Sequence, residues 1–123
     1  GKRKLERPGM HIRLAEARGE MSCAARLVGD TLDLLVQAAA LNDSPALRAQ
    51  AKFQAAYAVE LFRRAVDRLM AATGARSAFD DSALQRAFRD LTMAAKHEMI
   101  NYDTSAQTFG RTLVGLDAHG FPL

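Results

Sequence analysis

His97 is the residue of this 123-residue chain whose type is best suited to chemistry. Imidazole changes charge near neutral pH and relays a proton at either ring nitrogen. On a helix, Arg86, Asp90, Met93 and His97 follow one another at steps of four, three and four, which places them on one edge. Arg89 and Lys96 stand beside that edge. Charged edges of this kind ordinarily face water. This one adjoins the apolar stripe of Leu84, Phe88, Leu91 and Ala95, so it is placed to line the rim of a pocket. Glu98 lies about 100 degrees round the helix from His97, so the two cannot both aim at one small cavity. His11 opens a helix and His119 sits in the tail, which leaves no HxxxH or comparable metal-ligand spacing. GxSxG, P-loop and GxGxxG patterns are absent. A self-contained active site is not visible.

The elements that must hold this edge read as helices. From about His11 to Ala40, Leu14, Ala17, Met21, Ala24, Val28, Thr31, Leu35 and Ala38 recur at steps of three and four. They predict one core-facing stripe, with Arg13, Glu16, Glu20, Asp30 and Asp33 largely off it. Gly19 and Gly29 fall inside this helix, each at a cost of about 1 kcal/mol against alanine, which suggests close helix contact or a bend. Leu41-Asn42-Asp43 is the stop. Ser44-Pro45 restarts the chain, with serine as cap and proline where its missing N–H costs nothing. The second helix, about Pro45 to Ala72, carries Phe53, Tyr57, Val59, Val66 and Met70 beyond its main stripe and wants more than one neighbour. Gly74 is the expected C′ residue, and 75–81 reads as a loop. Ser82 to Gln85 matches a capping box that opens a third helix, ending near Ile100. Asn101-Tyr102-Asp103 is read as a break, and Thr104 to Gln107 as a second capping box starting a short helix to about Gly115. The expected fold is all-α, an up-and-down bundle of two long and two shorter helices. The expected organisation is a basic arm over 1–10, a helical domain over 11–115 and a tail over 116–123.

Composition limits the partners. Half the residues are apolar and a quarter charged, as in a soluble globular domain, and no apolar run approaches a membrane span. The net charge of +3 is accounted for by Lys2, Arg3, Lys4 and Arg7 against Glu6. No aromatic residues interleave with these cations, so neither nucleic acid nor membrane is the expected partner. The start at Gly1, without an initiator methionine, is read as a cut connection within a longer protein. Cys23, the single cysteine, lies among Met21, Ala24 and Ala25 and is expected to be a buried structural thiol in a reducing cytoplasm. Many small residues at stripe positions imply close helix approach or large partners from another chain, hence self-association.

Three segments together carry a family likeness. Leu84-Gln85-Arg86 with Arg89-Asp90, then Ala94-Ala95-Lys96-His97, then Phe109-Gly110-Arg111 with Leu113 and Gly115 resemble the closing segment of the acyl-CoA dehydrogenase-like flavin monooxygenases. The likeness is close over residues 82–115 and extends to 11–74 by helix layout. It implies a C-terminal helical domain from a two-component hydroxylase of an aromatic or related small molecule, fed reduced flavin (FMN or FAD) by a separate reductase. By the same likeness His97 is the active-site histidine, and Arg86 and Arg89 contact the flavin phosphate or another subunit. Asp90 anchors a neighbouring arginine or helix end. In the family an N-terminal helical domain and a β-domain precede these helices, so the chain by itself is expected to hold no flavin tightly and to be inactive. The acyl-CoA dehydrogenases proper are the rival. Their catalytic glutamate would fall at Glu98, but Met99 and Ile100 stand where that branch has Gly and Thr, and bulky side chains there obstruct a ligand. A third reading is a helical assembly module, since the family's C-terminal helices build a tetramer core.

Overall fold

The structure, a computed structural model, describes residues 7–42, 44–73 and 83–118. Three helices account for nearly all of them: α1 (Pro8–Ala40), α2 (Pro45–Thr73) and α3 (Ala83–Leu113). The all-α, up-and-down reading holds, and among the described residues there is no strand. None of these helices is long and apolar enough to cross a membrane.

α1 begins at Pro8, three residues before the expected start. Proline fits the first helical position, and the Arg7 carbonyl accepts the N–H groups of Met10 and His11. The helix stops as expected at Leu41, and Asn42 turns the chain at φ 56°, a left-handed conformation that asparagine tolerates better than most residues. The Ser44-Pro45 restart is also as read, with the Ser44 hydroxyl accepting the Leu47 N–H at 3.5 Å. Gly74, the loop over 75–81 and Ser82 lie outside the described residues.

The expected fourth helix is absent as a separate element, because α3 runs unbroken through Asn101-Tyr102-Asp103. Nothing in that tripeptide forbids helix: it has neither proline nor glycine, and Tyr102 is held half-buried against Phe53 of α2 at a centroid distance of 5.8 Å. The supposed second capping box is helix interior. There Ser105 is buried, and the Thr108 hydroxyl, also buried, donates back to the Thr104 carbonyl at 2.8 Å. α3 ends in a Schellman turn. The Leu116 N–H reaches the Arg111 carbonyl at 2.9 Å and the Gly115 N–H reaches Thr112 at 3.2 Å, with Gly115 at φ +84°.

α2 is the middle helix. α1 and α3 each pack along it and scarcely touch one another, which fits the broad apolar surface read from the α2 sequence. Against α1, a row spaced by seven residues is buried: Ala17, Ala24, Thr31 and Ala38. α2 answers with Ala51, Ala58 and Ala65, equally spaced and buried. The two helices are antiparallel, since Thr31 donates to the Gln54 side chain at 3.1 Å while Arg68 bonds Glu20 at 2.6 Å and Glu16 at 2.8 Å.

The narrowness of that contact corrects two expectations. Leu14, Met21 and Val28 are each 41 % exposed, and Leu35 lies equally outside the core, because small residues fill the centre of the α1–α2 seam and, among the described residues, α1 packs almost entirely against α2. Cys23, expected buried, is exposed for the same reason. The α3 stripe of Leu84, Phe88, Leu91 and Ala95 lies outside the side chains described. An Ala24→Leu substitution should therefore lose about 1–3 kcal/mol through overpacking. Ala25→Leu, one residue away and exposed, should stay within about 0.5 kcal/mol. Thermal unfolding followed by circular dichroism measures both, and equal effects would contradict the seam.

Candidate functional site

The sequence-derived site residues lie on the first half of α3. Arg86, Arg89, Asp90 and Met93 are all exposed, Met93 at 69 %, so the edge read from their spacing does face outward from the three-helix layer. His97 falls within α3, but its side chain, like those of Lys96 and Glu98, lies outside the described residues. The structure thus brings two guanidinium groups and one carboxylate to a common exposed edge. Two exposed guanidinium forks three residues apart suit a phosphate approaching from outside the layer, since each presents planar donors and stays charged at any working pH.

Further along α3, at its seam with α2, a cluster appears that the sequence reading missed. Phe53 is its apolar base. It contacts Tyr57 at a centroid distance of 5.7 Å, Tyr102 at 5.8 Å and Phe109 at 5.6 Å, with rings stacked or tilted as aromatic quadrupoles prefer. Beside these rings Glu60, Arg64, Tyr102 and Asp103 line an open hollow of about 230 Å³. Glu60 is the electrostatic centre. Arg63 donates to both its oxygens at 2.6 and 2.9 Å, and Arg64 adds a contact at 3.3 Å. Arg63 also reaches Asp67 at 2.7 Å. The Arg63 hydrogen bonds, ahead of the burial that opposes them, hold the Glu60 carboxyl below its ordinary value of 4.5. The same partnership raises Arg63. An ionised, doubly bonded carboxylate is a fixed acceptor and counter-charge. It has no proton to give near neutral pH, so the cavity wall can bind and orient polar groups but Glu60 cannot serve as a general acid. The signal for this cluster was present in the chain as Glu60, Arg63, Arg64, Asp67 and Arg68, whose steps of three and four form one helix face.

Two other hollows lie on the α2 surface. One of about 390 Å³ is lined by Arg13, Arg64, Asp67, Arg68 and Ala71. Its arginines are answered by carboxylates: Arg13 by Glu16 at 2.9 Å, Arg64 by Glu60, and Arg68 by Glu16 and Glu20. The hydrogen bond to Glu20 is the main reason the Arg68 guanidinium holds its proton more tightly than usual. A second hollow of about 210 Å³ lies between Thr31 and Leu35 of α1 and Arg48, Ala51, Lys52 and Ala55 of α2. Arg86 and Arg89 line none of these three hollows.

Residues 1–102 match the family described as acyl-CoA dehydrogenase, C-terminal domain. The chain belongs to this family. Among characterised members of the wider group, it is 53 % identical over 62 residues to the oxygenase component of p-hydroxyphenylacetate 3-hydroxylase from Acinetobacter baumannii, covering 50 % of this chain and 15 % of that protein. It is 29 % identical over 105 residues to a pigment production hydroxylase from a Rhodococcus species, covering 85 % of this chain and 27 % of that protein. The chain therefore spans well under a third of either relative. No solved structure gives a significant match. Both relatives are hydroxylases, which agrees with the monooxygenase branch of the acyl-CoA dehydrogenase superfamily and with the all-α domain described above.

Acid titration tests the Glu60 cluster. Because folding depresses the Glu60 pKa, its contribution to stability is fully present above about 4.5, the unfolded value, and is lost as pH falls through the lower folded value. The fall in melting temperature between pH 6 and pH 3 should be smaller in Glu60→Gln than in the unaltered chain. An identical fall would show that the carboxylate is not held as described.

Proposed function

We propose that this chain is the C-terminal helical portion of a flavin-dependent, two-component monooxygenase that hydroxylates an aromatic or related small molecule. The 53 % identity to the oxygenase component of a p-hydroxyphenylacetate 3-hydroxylase carries the reading. Agreement with a second hydroxylase over 85 % of the chain supports it. At residue level, Met99 and Ile100 leave no small-residue gap after Glu98 for an acyl thioester, which disfavours the dehydrogenase reading.

In this reading the flavin, FMN or FAD delivered reduced by a separate reductase, supplies the oxygen chemistry when bound. Arg86 and Arg89 hold its phosphate by charge-assisted hydrogen bonds from the exposed α3 edge. His97, on the same helix, orients the substrate and exchanges a proton with its hydroxyl group. Glu60, kept ionised by Arg63 and Arg64, sets the charge at the α2–α3 seam further along α3, beside Tyr102 and Asp103. The parent assembles as a homo-oligomer, a role supported by the large apolar side chains that α1 leaves exposed.

The test uses the full-length parent with a flavin reductase. His97→Ala should lower hydroxylation of a phenolic acid by about 100-fold or more, in line with loss of an acid–base group, with little change in flavin affinity. Arg86→Ala and Arg89→Ala should weaken reduced-flavin binding by about tenfold each, the equivalent of one charge-assisted contact. Unchanged hydroxylation in His97→Ala would remove its catalytic role. Oxidation of an acyl-CoA without any hydroxylated product would replace the monooxygenase reading with the dehydrogenase one.

A further inference from the structure

Asn101-Tyr102-Asp103-Thr104-Ser105 are consecutive residues that all rank low in helix propensity, yet α3 runs through them without a break. Local preference does not account for the helix there, so packing has to supply the difference. Among the described residues, that packing comes from α2. Phe53 meets Tyr102 at a centroid distance of 5.8 Å and Phe109 at 5.6 Å, so one ring holds α3 at two points about two turns apart. Tyr57 stacks on the same ring at 5.7 Å. Ser105 and Thr108, both buried, lie between the two contact points. In the half of α3 before this clamp, the described side chains of Arg86, Arg89, Asp90 and Met93 are all exposed. His97 lies in that half of the helix, about 7.5 Å along the axis before Tyr102.

We propose that Phe53 is a positioning residue for the hydroxylation: its ring, through Tyr102, carries the helix across 101–105 and so sets the height and rotation at which α3 presents His97. The inference rests on the monooxygenase reading above, in which His97 orients the substrate. A helix with its side chains is about 10–12 Å across, so turning it by about 30 degrees moves a side-chain tip by roughly 2.5 Å. A misplacement of about 1 Å is enough to cost about 100-fold in a step that depends on alignment. Leucine at position 53 keeps the site apolar but removes the flat surface that reaches both Tyr102 and Phe109. Misalignment then shows as a change of product. Dioxygen takes two electrons from the reduced flavin, and two protons, in either case. With the substrate aligned, one oxygen atom enters the aromatic ring and the other leaves as water. Without alignment both leave as hydrogen peroxide.

The test uses the full-length parent with a flavin reductase and measures hydroxylated product against hydrogen peroxide, a ratio that loss of folded enzyme does not change. Phe53→Leu should lower that ratio by about tenfold, and Phe53→Tyr, which keeps the ring, should stay within about twofold of the unaltered enzyme. Ala24→Leu, which strains the α1–α2 seam instead, should lower the melting temperature and leave the ratio unchanged. In a His97→Ala background, adding Phe53→Leu should change the ratio by less than about twofold, as expected when one residue acts through the other. Hydrogen exchange gives a readout without flavin: the amides of 101–105 should exchange about tenfold faster in Phe53→Leu. A ratio or an exchange rate unmoved by Phe53→Leu, while His97→Ala lowers hydroxylation, would overturn the positioning role alone. So would a full further loss in the His97→Ala background. Hydroxylation unchanged in His97→Ala would instead bring down the reading of His97, and the proposal with it.

Discussion

Alanine against alanine along the α1–α2 seam is the constraint from which the arrangement follows. Ala17, Ala24 and Ala38 on one helix and Ala51, Ala58 and Ala65 on the other remove nearly all side-chain thickness from the contact, so the two cylinders lie close together. Dispersion between closely approached backbones and β-carbons then replaces the interdigitation of large residues. The cost is breadth: a seam this thin cannot shelter a flanking row, and Leu14, Met21 and Val28 remain half in solvent. Polar pairs fix the register that alanines alone leave degenerate. Thr31 to Gln54 sets it near one end, and Arg68 to Glu16 and Glu20 toward the other.

The α2–α3 seam solves the same problem with different material. Phe53 inserts between Tyr102 and Phe109, and the ring contacts span two turns of α3. Aromatic rings stand at one level of this seam and Ala49, Ala56 and Thr108 are buried elsewhere, and beside the rings lies the hollow edged by Glu60, Arg64 and Asp103. Every buried side-chain nitrogen and oxygen among the described residues has a hydrogen-bond partner, so the polar groups at this seam are held in place. A charged wall fixed in this way is a preorganised feature, set before any ligand arrives.

The broad outline was legible because helix periodicity and local punctuation are strong signals. Ser44-Pro45, the stop at Leu41-Asn42 and the all-α character were all readable from short stretches. The errors share a cause: they concern properties that only neighbours decide. Tyr102 looked like part of a break because Asn and Asp flank it, yet packing on Phe53 carries the helix through. Cys23 and the Leu14 row looked buried because a hydrophobic stripe says which face is apolar, without saying how many helices cover it. The Glu60 cluster repeats at helical spacing on α2, but spacing alone does not tell a solvated charge run from a paired carboxylate at a helix seam. His97 and Arg86 stand out by residue type and helical spacing, with Arg89 beside them, whereas the roles given to His97, Arg86 and Arg89 come from likeness to a family. Of these, the fold itself bears on the arginines, which it leaves exposed along α3.

Cys23 offers a last consequence. It is the sole thiol in the chain and it stands in solvent on a continuous helix. A maleimide dye would therefore attach at one defined place without any engineered substitution, giving a ready optical reporter on α1. The same accessibility makes the purified protein prone to covalent pairing in air, so a reductant is needed before any band of doubled mass is taken as a native assembly.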